Sequence, residues 1–137
     1  MGFTFVNELP TPDMIREQFP LAPNLAEAKL KRDEEIKKVL TGESDKFIVI
    51  IGPCSADNED SVVDYVSRLV KVQEKTKDRL IIIPRVYTNK PRTTGEGYMG
   101  MIHQPDPEKK PDMFEGILAI RHMHMRVMRE TGFSTAD

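Results

Sequence analysis

Three basic residues follow one of the most apolar stretches of the chain. The segment "IIIPRVYTNKPRTTG" begins as a buried strand and continues into a polar loop that carries Arg85, Lys90 and Arg92 with no acidic residue among them. Arginine binds carboxylate or phosphate through paired hydrogen bonds, lysine adds a compact charge, and Thr93 and Thr94 add hydroxyl donors. The pattern favours a site for small phosphorylated acids. The competing interpretation is a solvated loop with scattered ion pairs.

A cysteine lies at the end of another apolar run, in the segment "KFIVIIGPCS". Gly52 permits a tight turn there, Pro53 stiffens it, and Cys54 is presented at the end of the predicted strand. A thiolate in this position can bind a divalent metal or act as a nucleophile. The alternative is a small buried residue with no chemical role. In the basic loop, Pro91 reduces conformational freedom and preorganises the positive charges.

Both motifs are predicted to follow adjacent parallel strands. The runs "KFIVII" and "RLIIIP" are apolar and rich in β-branched residues, which is typical of strands buried on both faces. The intervening segment predicts a helix with cap candidates Asp57 and Asn58 and an apolar stripe that includes Val62 and Val66. Ligand sites of parallel α/β folds lie at the carboxyl ends of the strands. We therefore expect the cysteine and the basic loop to be neighbours.

The flanking segments predict an arm, two further helices and the start of a third strand. Four prolines divide residues 1–23 into short extended or turn pieces. The next segment predicts a helix that is capped by Asn24 and ends at Gly42. Asp112 and Glu115 form a capping-box pattern before the last helix, and "FSTAD" follows where a strand would begin. The residues of that helix predicted to face a core are Phe114, Ile117, Leu118, Met125 and Met128.

Composition limits the kinds of partner. With 137 residues the chain suits one domain, and its formal net charge of -2 gives no global basic field to attract nucleic acid or an anionic membrane. The one cysteine cannot form an internal disulfide, and no apolar run reaches the roughly 18 residues of a membrane span. His122 and His124 are expected to be surface or interface residues. We expect a soluble cytoplasmic protein with no nucleic-acid or membrane partner.

The two strand-end motifs, "IGPCS" and "RVYTNKPRTTGEGYMGM", resemble those of the class I 3-deoxy-D-arabino-heptulosonate 7-phosphate (DAHP) synthases. The similarity extends over nearly the whole chain, including "HQPDPEKKPDMFEGILAIRHMHM". It implies an α/β fold, the N-terminal part of a (β/α)8 TIM barrel with an N-terminal extension. Residues 1–45 would form the extension and its helix, and residues 46–137 the first two β/α units. The resemblance also implies a divalent metal cation, the substrates phosphoenolpyruvate and erythrose 4-phosphate, and a homo-oligomer at full length.

The resemblance implies roles for individual residues. Cys54 matches a metal ligand, and Arg85 and Lys90 match residues that hold phosphoenolpyruvate, with Lys90 as the catalytic residue. Fixed positive charge of this kind offsets the mutual repulsion of two anionic substrates. Met99 stands where relatives commonly have lysine, which removes one positive charge. The stretch matched to erythrose 4-phosphate binding comprises Pro91, Arg92, Thr93 and Thr94.

The length of the chain bears on activity. A complete barrel takes about 250 residues, and the resemblance implies that further metal ligands, a His, a Glu and an Asp, come from later strands. We therefore expect a truncated and inactive chain whose open strand edges promote association. A synthase that uses arabinose 5-phosphate is the nearest enzymatic alternative, although "KPRTT" argues against it. Two hypotheses of a different class are a non-catalytic fragment that associates with or regulates an intact synthase, and a general phosphate-binding module.

Overall fold

The computed structural model describes residues 2–5 and 7–137, so Met1 and Val6 of the predicted arm lie outside the described residues. The structure is α/β, with a two-stranded parallel sheet and helices before, between and after the strands. The elements in chain order are α1 (Pro12–Gln18), α2 (Pro23–Leu40), β1 (Phe47–Ile51), α3 (Glu59–Thr76), β2 (Leu80–Pro84) and α4 (Met113–Thr131).

Two of the predicted helix starts are confirmed and one is wrong. Asn58 caps α3 by accepting a hydrogen bond from the Ser61 amide at 2.9 Å, and Asp112 caps α4 by accepting one from the Glu115 amide at 3.2 Å. Helix α2 begins at Pro23 without a side-chain cap, not after a cap at Asn24. Proline suits the first helical position because its missing N–H has no partner there in any case.

The arm contains a helix that the sequence pattern did not indicate. Thr11 caps α1 by accepting a hydrogen bond from the Met14 amide at 3.3 Å, and Pro12 stands at the start of the helix. Prolines were expected to break the arm, whereas this one begins a helix. Arg121 of α4 then donates to the carbonyl of Phe19 at 3.0 Å, which ties the arm to the last helix.

The two strands pair in parallel, as predicted. The register runs from Phe47 opposite Leu80 to Ile51 opposite Pro84. Just beyond β2, Arg85 forms a parallel bridge with Ala136, where the third strand was expected to begin.

Strand β1 is less buried than predicted. The sequence indicated burial on both faces, but Phe47 and Ile50 are 73% and 58% exposed, while Ile81 and Ile82 of β2 are buried. Within the described residues, β1 pairs only with β2 and its other edge is open. A sequence of buried-strand type therefore stands here at the edge of a sheet.

The core lies where α3, α4 and the end of β2 meet. Val62 and Val66 of α3 are buried, as their stripe predicted. On α4 the prediction was largely wrong: Met123, Val127 and Met128 are buried, and of these only Met128 was named. The other predicted core residues of α4, Phe114, Ile117, Leu118 and Met125, are half-buried.

Side chains occupy part of the second edge of β2. Gln73 of α3 donates to the Leu80 carbonyl at 2.8 Å and accepts from the Ile82 amide at 2.7 Å. Arg32 of α2 donates to the Ile82 carbonyl, and its guanidinium lies 4.4 Å from the centroid of the Phe133 ring. These contacts satisfy backbone groups that a neighbouring strand would otherwise pair, which protects the edge.

A charged cluster joins α3 to α4. Arg126 contacts Glu59 at 2.9 Å, Asp60 at 2.7 Å and Glu130 at 2.8 Å, and His122 lies 3.0 Å from Glu59. Burial acts to raise the pKa of Glu59, but hydrogen bonds from Arg126 and His122 outweigh it, so this pKa falls below its ordinary value. None of the helices in the described part of the chain is long and apolar enough to cross a membrane.

Candidate functional site

The segments that follow β1 and β2 meet at one edge of the sheet. The Arg85 amide donates to the Ile51 carbonyl at 2.8 Å, and the Ala56 amide donates to the Tyr87 carbonyl at 2.9 Å. Hydrogen bonds therefore join the two segments before and after Cys54. This is the arrangement expected of parallel strands, whose carboxyl ends lie side by side.

Gly52 makes the close approach of these segments possible. A Cβ atom at this position would lie 1.7 Å from the carbonyl oxygen of Arg85. Any side chain there would have to displace backbone, so glycine is required for packing and not for an unusual φ angle. The sequence pattern indicated a tight turn at Gly52 and gave no sign of this contact.

Cys54 and Lys90 are brought together. The Nζ atom of Lys90 lies 3.3 Å from the Sγ atom of Cys54, and Cys54 is exposed. The two residues are 36 positions apart in the sequence, and their proximity follows from the parallel pairing of β1 and β2. The cysteine and the basic loop were expected to be neighbours, and Lys90 is the residue of that loop that lies next to Cys54.

Arg85 lies at the end of β2 with an unusual set of neighbours. Its Cζ atom is 4.1 Å from the centroid of the Tyr87 ring, and its buried Nε has no hydrogen-bond partner within the described residues. The side chain is half-buried. Its N–H groups are therefore suited to an anion that offers two neighbouring oxygen atoms, such as a carboxylate or a phosphate.

The rest of the predicted cluster lies on the exposed part of the loop. Arg92 is exposed, and its Nε donates to the Tyr98 carbonyl at 3.1 Å, within its own loop. The loop is closed where the Lys90 amide donates to the Met99 carbonyl at 2.9 Å. Gly100 then packs against the Thr88 carbonyl, with φ at +103°. The predicted residues Pro91, Thr93 and Thr94 are exposed on the same loop.

A cavity of about 520 Å³ adjoins the end of β2, within the size range of small-molecule pockets. Thr88, which is 2% exposed, lies on its wall, and both its amide (3.0 Å) and its hydroxyl donate to the Asp137 carboxylate. The other lining residues are Tyr87, Asn89, Ile102, Ile117, Ile120 and Asp137.

The Thr88 contact and the environment of His124 were not found from the sequence. His124 was expected at a surface or interface, but its side chain is 23% exposed and its Nδ1 lies 2.6 Å from the Thr135 hydroxyl. Burial lowers the pKa of His124, while Asp137 partly opposes this effect. The contacts of Thr88 with Asp137 and of His124 with Thr135 join residues from separate segments of the chain, so no local sequence pattern predicts them.

The fit of a metal ion can be judged from the ligands present. In residues 2–5 and 7–137, no group of three or more His, Cys, Asp or Glu side chains is placed to hold a metal ion. The exposed thiol of Cys54 has the right chemistry for one ligand of a divalent metal. A complete site would need further ligands in addition to those described.

The fold and the strand-end geometry define an α/β protein with its candidate site at the carboxyl ends of parallel strands. The model of the DAHP synthetase I family matches residues 23–125, and the chain belongs to this family.

Individual relatives agree with this assignment. The phenylalanine-inhibited phospho-2-dehydro-3-deoxyheptonate aldolase of Saccharomyces cerevisiae is 33% identical over 122 residues, which cover 89% of this chain and 33% of the relative. The Phe-sensitive phospho-2-dehydro-3-deoxyheptonate aldolase of Escherichia coli K12 is 35% identical over 118 residues, which cover 86% of this chain and 33% of the relative. A solved phospho-2-dehydro-3-deoxyheptonate aldolase from Francisella tularensis superposes with a TM-score of 0.85 at 26% identity, covering 96% of this chain and 38% of that one. The chain thus spans about a third of the length of the curated relatives it matches.

Proposed function

We propose that this chain is an amino-terminal portion of a DAHP synthase, which condenses phosphoenolpyruvate with erythrose 4-phosphate in the first step of aromatic amino acid biosynthesis. The observation that carries the proposal is the 3.3 Å approach of Lys90 Nζ to Cys54 Sγ at the strand ends. The names of the relatives support the reaction class. We also propose that the protein acts in the cytoplasm.

The proposed fold is the beginning of a (β/α)8 barrel. Residues 1–45 form the extension, and residues 46–137 form the first two β/α units. The order β1, α3, β2, α4 and the parallel bridge from Arg85 to Ala136 support this assignment, because each strand is followed by a helix and then by a parallel neighbour. A homo-oligomer of the complete barrel is part of the same proposal.

The proposed substrate contacts divide along the basic loop. Arg85 and Lys90 hold phosphoenolpyruvate at the strand ends, where Arg85 forms no salt bridge with any other described residue and Lys90 adds a point charge. The exposed stretch beyond Lys90 receives erythrose 4-phosphate. The residues of that stretch are Pro91, Arg92, Thr93 and Thr94.

The positive side chains serve the reaction by bringing two anions together. In the proposed condensation, C3 of phosphoenolpyruvate forms a bond to the aldehyde carbon of erythrose 4-phosphate, water adds at C2, and inorganic phosphate leaves. The charges of Arg85 and Lys90 offset substrate repulsion, and the charge of Lys90 remains near the reacting atoms. A divalent metal held in part by Cys54 would supply Lewis-acid polarisation of the aldehyde oxygen.

Binding of phosphoenolpyruvate to the ¹⁵N-labelled chain, followed by NMR, tests this proposal. We expect the largest shifts at Arg85 and Lys90, and at least a tenfold weaker affinity after Lys90→Ala, because charged hydrogen bonds contribute about 1.5–3 kcal/mol. Lys71→Ala, which changes an exposed lysine of α3, is the matched control and should bind as the wild type does. Shifts remote from the strand ends, or equal affinity of the two variants, would contradict the proposal.

Turnover provides a second test. We expect the chain alone to release no inorganic phosphate from phosphoenolpyruvate and erythrose 4-phosphate, since the described residues supply one metal ligand. A rate near that of complete barrels would overturn the expectation of inactivity.

Arg92→Ala should weaken binding of erythrose 4-phosphate, and an unchanged affinity would remove Arg92 from the proposed site.

A second candidate function is association with an intact synthase. It is favoured by the open edge of β1, where Phe47 is 73% exposed and Ile50 is 58% exposed. An edge strand with apolar side chains is suited to pairing with another chain. Co-purification of the chain with a full-length relative is the expected result, and a strictly monomeric sample with a cooperative thermal transition would argue against it.

A further inference from the structure

The ring of Tyr87 forms a platform under the guanidinium of Arg85. The Cζ atom of Arg85 lies 4.1 Å from the ring centroid, and both side chains are half-buried. Residues two positions apart on an extended chain point to the same side, so the contact follows from the local backbone. A cation over an aromatic face is attracted by the negative charge density of that face.

Unlike a salt bridge, this contact does not occupy the N–H donors of Arg85 or neutralise its charge. Within residues 2–5 and 7–137, Arg85 forms no salt bridge, and its Nε has no hydrogen-bond partner. A carboxylate would bind the in-plane N–H groups and neutralise the charge. An aromatic ring contacts the face of the guanidinium, so it orients the group while its donors and charge stay available.

The backbone that carries the platform is held at both of its ends by the segment that follows β1. The Arg85 amide donates to the Ile51 carbonyl at 2.8 Å, and the Tyr87 carbonyl accepts from the Ala56 amide at 2.9 Å. Ala56 is fully buried, which fixes its amide against the core. On this fixed backbone, the ring of Tyr87 contacts the face of the Arg85 guanidinium.

We propose that Tyr87 is a positioning residue that orients Arg85 for binding the carboxylate or phosphate of a small phosphorylated acid. This inference rests on the proposed function and adds to it a residue that contacts Arg85 and not the ligand. It requires the aromatic ring and not the hydroxyl group. Phenylalanine should therefore replace tyrosine without loss, and an aliphatic side chain should not.

The experiment compares Tyr87→Leu with the matched variant Tyr87→Phe. The first readout is the dissociation constant for phosphoenolpyruvate and for inorganic phosphate, measured by NMR titration. We expect Tyr87→Phe to bind as the wild type does and Tyr87→Leu to bind between about twofold and thirtyfold more weakly. The second readout is the ¹⁵N relaxation of Arg85 Nε without ligand, which should show a rigid group in wild type and Tyr87→Phe and a mobile one in Tyr87→Leu.

Each outcome bears on the inference. Equal affinity and equal rigidity in Tyr87→Leu would overturn it, and so would a loss in Tyr87→Phe as large as that in Tyr87→Leu. If neither probe binds to the wild type, the proposed function fails for this chain, while the relaxation of Arg85 Nε still decides the role of Tyr87. Should Tyr87→Leu lose the dispersed spectrum of a folded protein, Tyr87→Met takes its place with the same expected results.

Discussion

Replacing Gly52 with alanine would force a methyl group against the backbone of the neighbouring strand. The added Cβ would lie 1.7 Å from the Arg85 carbonyl oxygen and 2.7 Å from its carbonyl carbon. Ordinary contacts begin at 3.4 Å, so the two segments must separate by roughly half that distance. Since the neighbouring atoms are backbone, no side-chain rotation can relieve the overlap.

The energetic cost follows from the overlap and from the hydrogen bonds beside it. Overpacking of this kind costs about 1–3 kcal/mol. Separation also weakens the hydrogen bonds from the Arg85 amide to Ile51 and from the Ala56 amide to Tyr87, each worth about 0.5–1.5 kcal/mol. We expect a total loss of about 2–6 kcal/mol, against a typical stability of about 5–15 kcal/mol for a whole domain.

Urea unfolding followed by circular dichroism measures this loss. Gly42→Ala is the matched control, because Gly42 has φ at +78° and a Cβ added there would meet nothing within 4 Å, so only the left-handed backbone cost of about 1–2 kcal/mol applies. In Gly52→Ala the amide signals of Cys54 and Lys90 should also shift strongly. A destabilisation no greater than that of Gly42→Ala would refute the close approach of the two segments.

Two further predictions concern stability. Gln73→Leu leaves one carbonyl and one amide of β2 without their partners and should cost about 2–4 kcal/mol, and a urea midpoint no lower than that of Lys71→Leu on the same helix would contradict this. Hydrogen bonds from Arg126 and His122 outweigh burial and hold the pKa of Glu59 below its ordinary value. Ionised Glu59 therefore stabilises the fold above pH 4.5, and this stabilisation is lost as the pH falls through the folded-state pKa. The difference in urea midpoint between wild type and Glu59→Gln should therefore shrink under acidic conditions, and a difference that grows would show the reverse linkage.

The elements that the sequence predicted well are those set by local chemistry. The caps at Asn58 and Asp112 depend on a side-chain oxygen three residues before an amide, and the parallel strands depend on two apolar runs separated by a helix. The parallel pairing brings the segments of Cys54 and Lys90 to the same edge of the sheet, as the sequence predicted.

The features that the sequence did not predict depend on tertiary contacts between segments and not on local sequence. Burial of β1 is a property of its neighbours, so an apolar sequence could not show that its outer edge is open. The Tyr87 platform and the Gly52 contact arise from the path of the chain after each strand. The hydrogen bond from Arg92 Nε to the Tyr98 carbonyl also depends on the path of the loop.

The thiol of Cys54 and the ammonium group of Lys90 share one edge of the sheet, and the proposed chemistry depends on this proximity. Nuclear Overhauser spectroscopy between the β protons of Cys54 and the ε protons of Lys90 tests it most directly. We predict a clear cross-peak, because the Sγ and Nζ atoms lie 3.3 Å apart. A folded chain in which this cross-peak is absent, and in which Lys90 instead contacts residues at the amino ends of the strands, would contradict it.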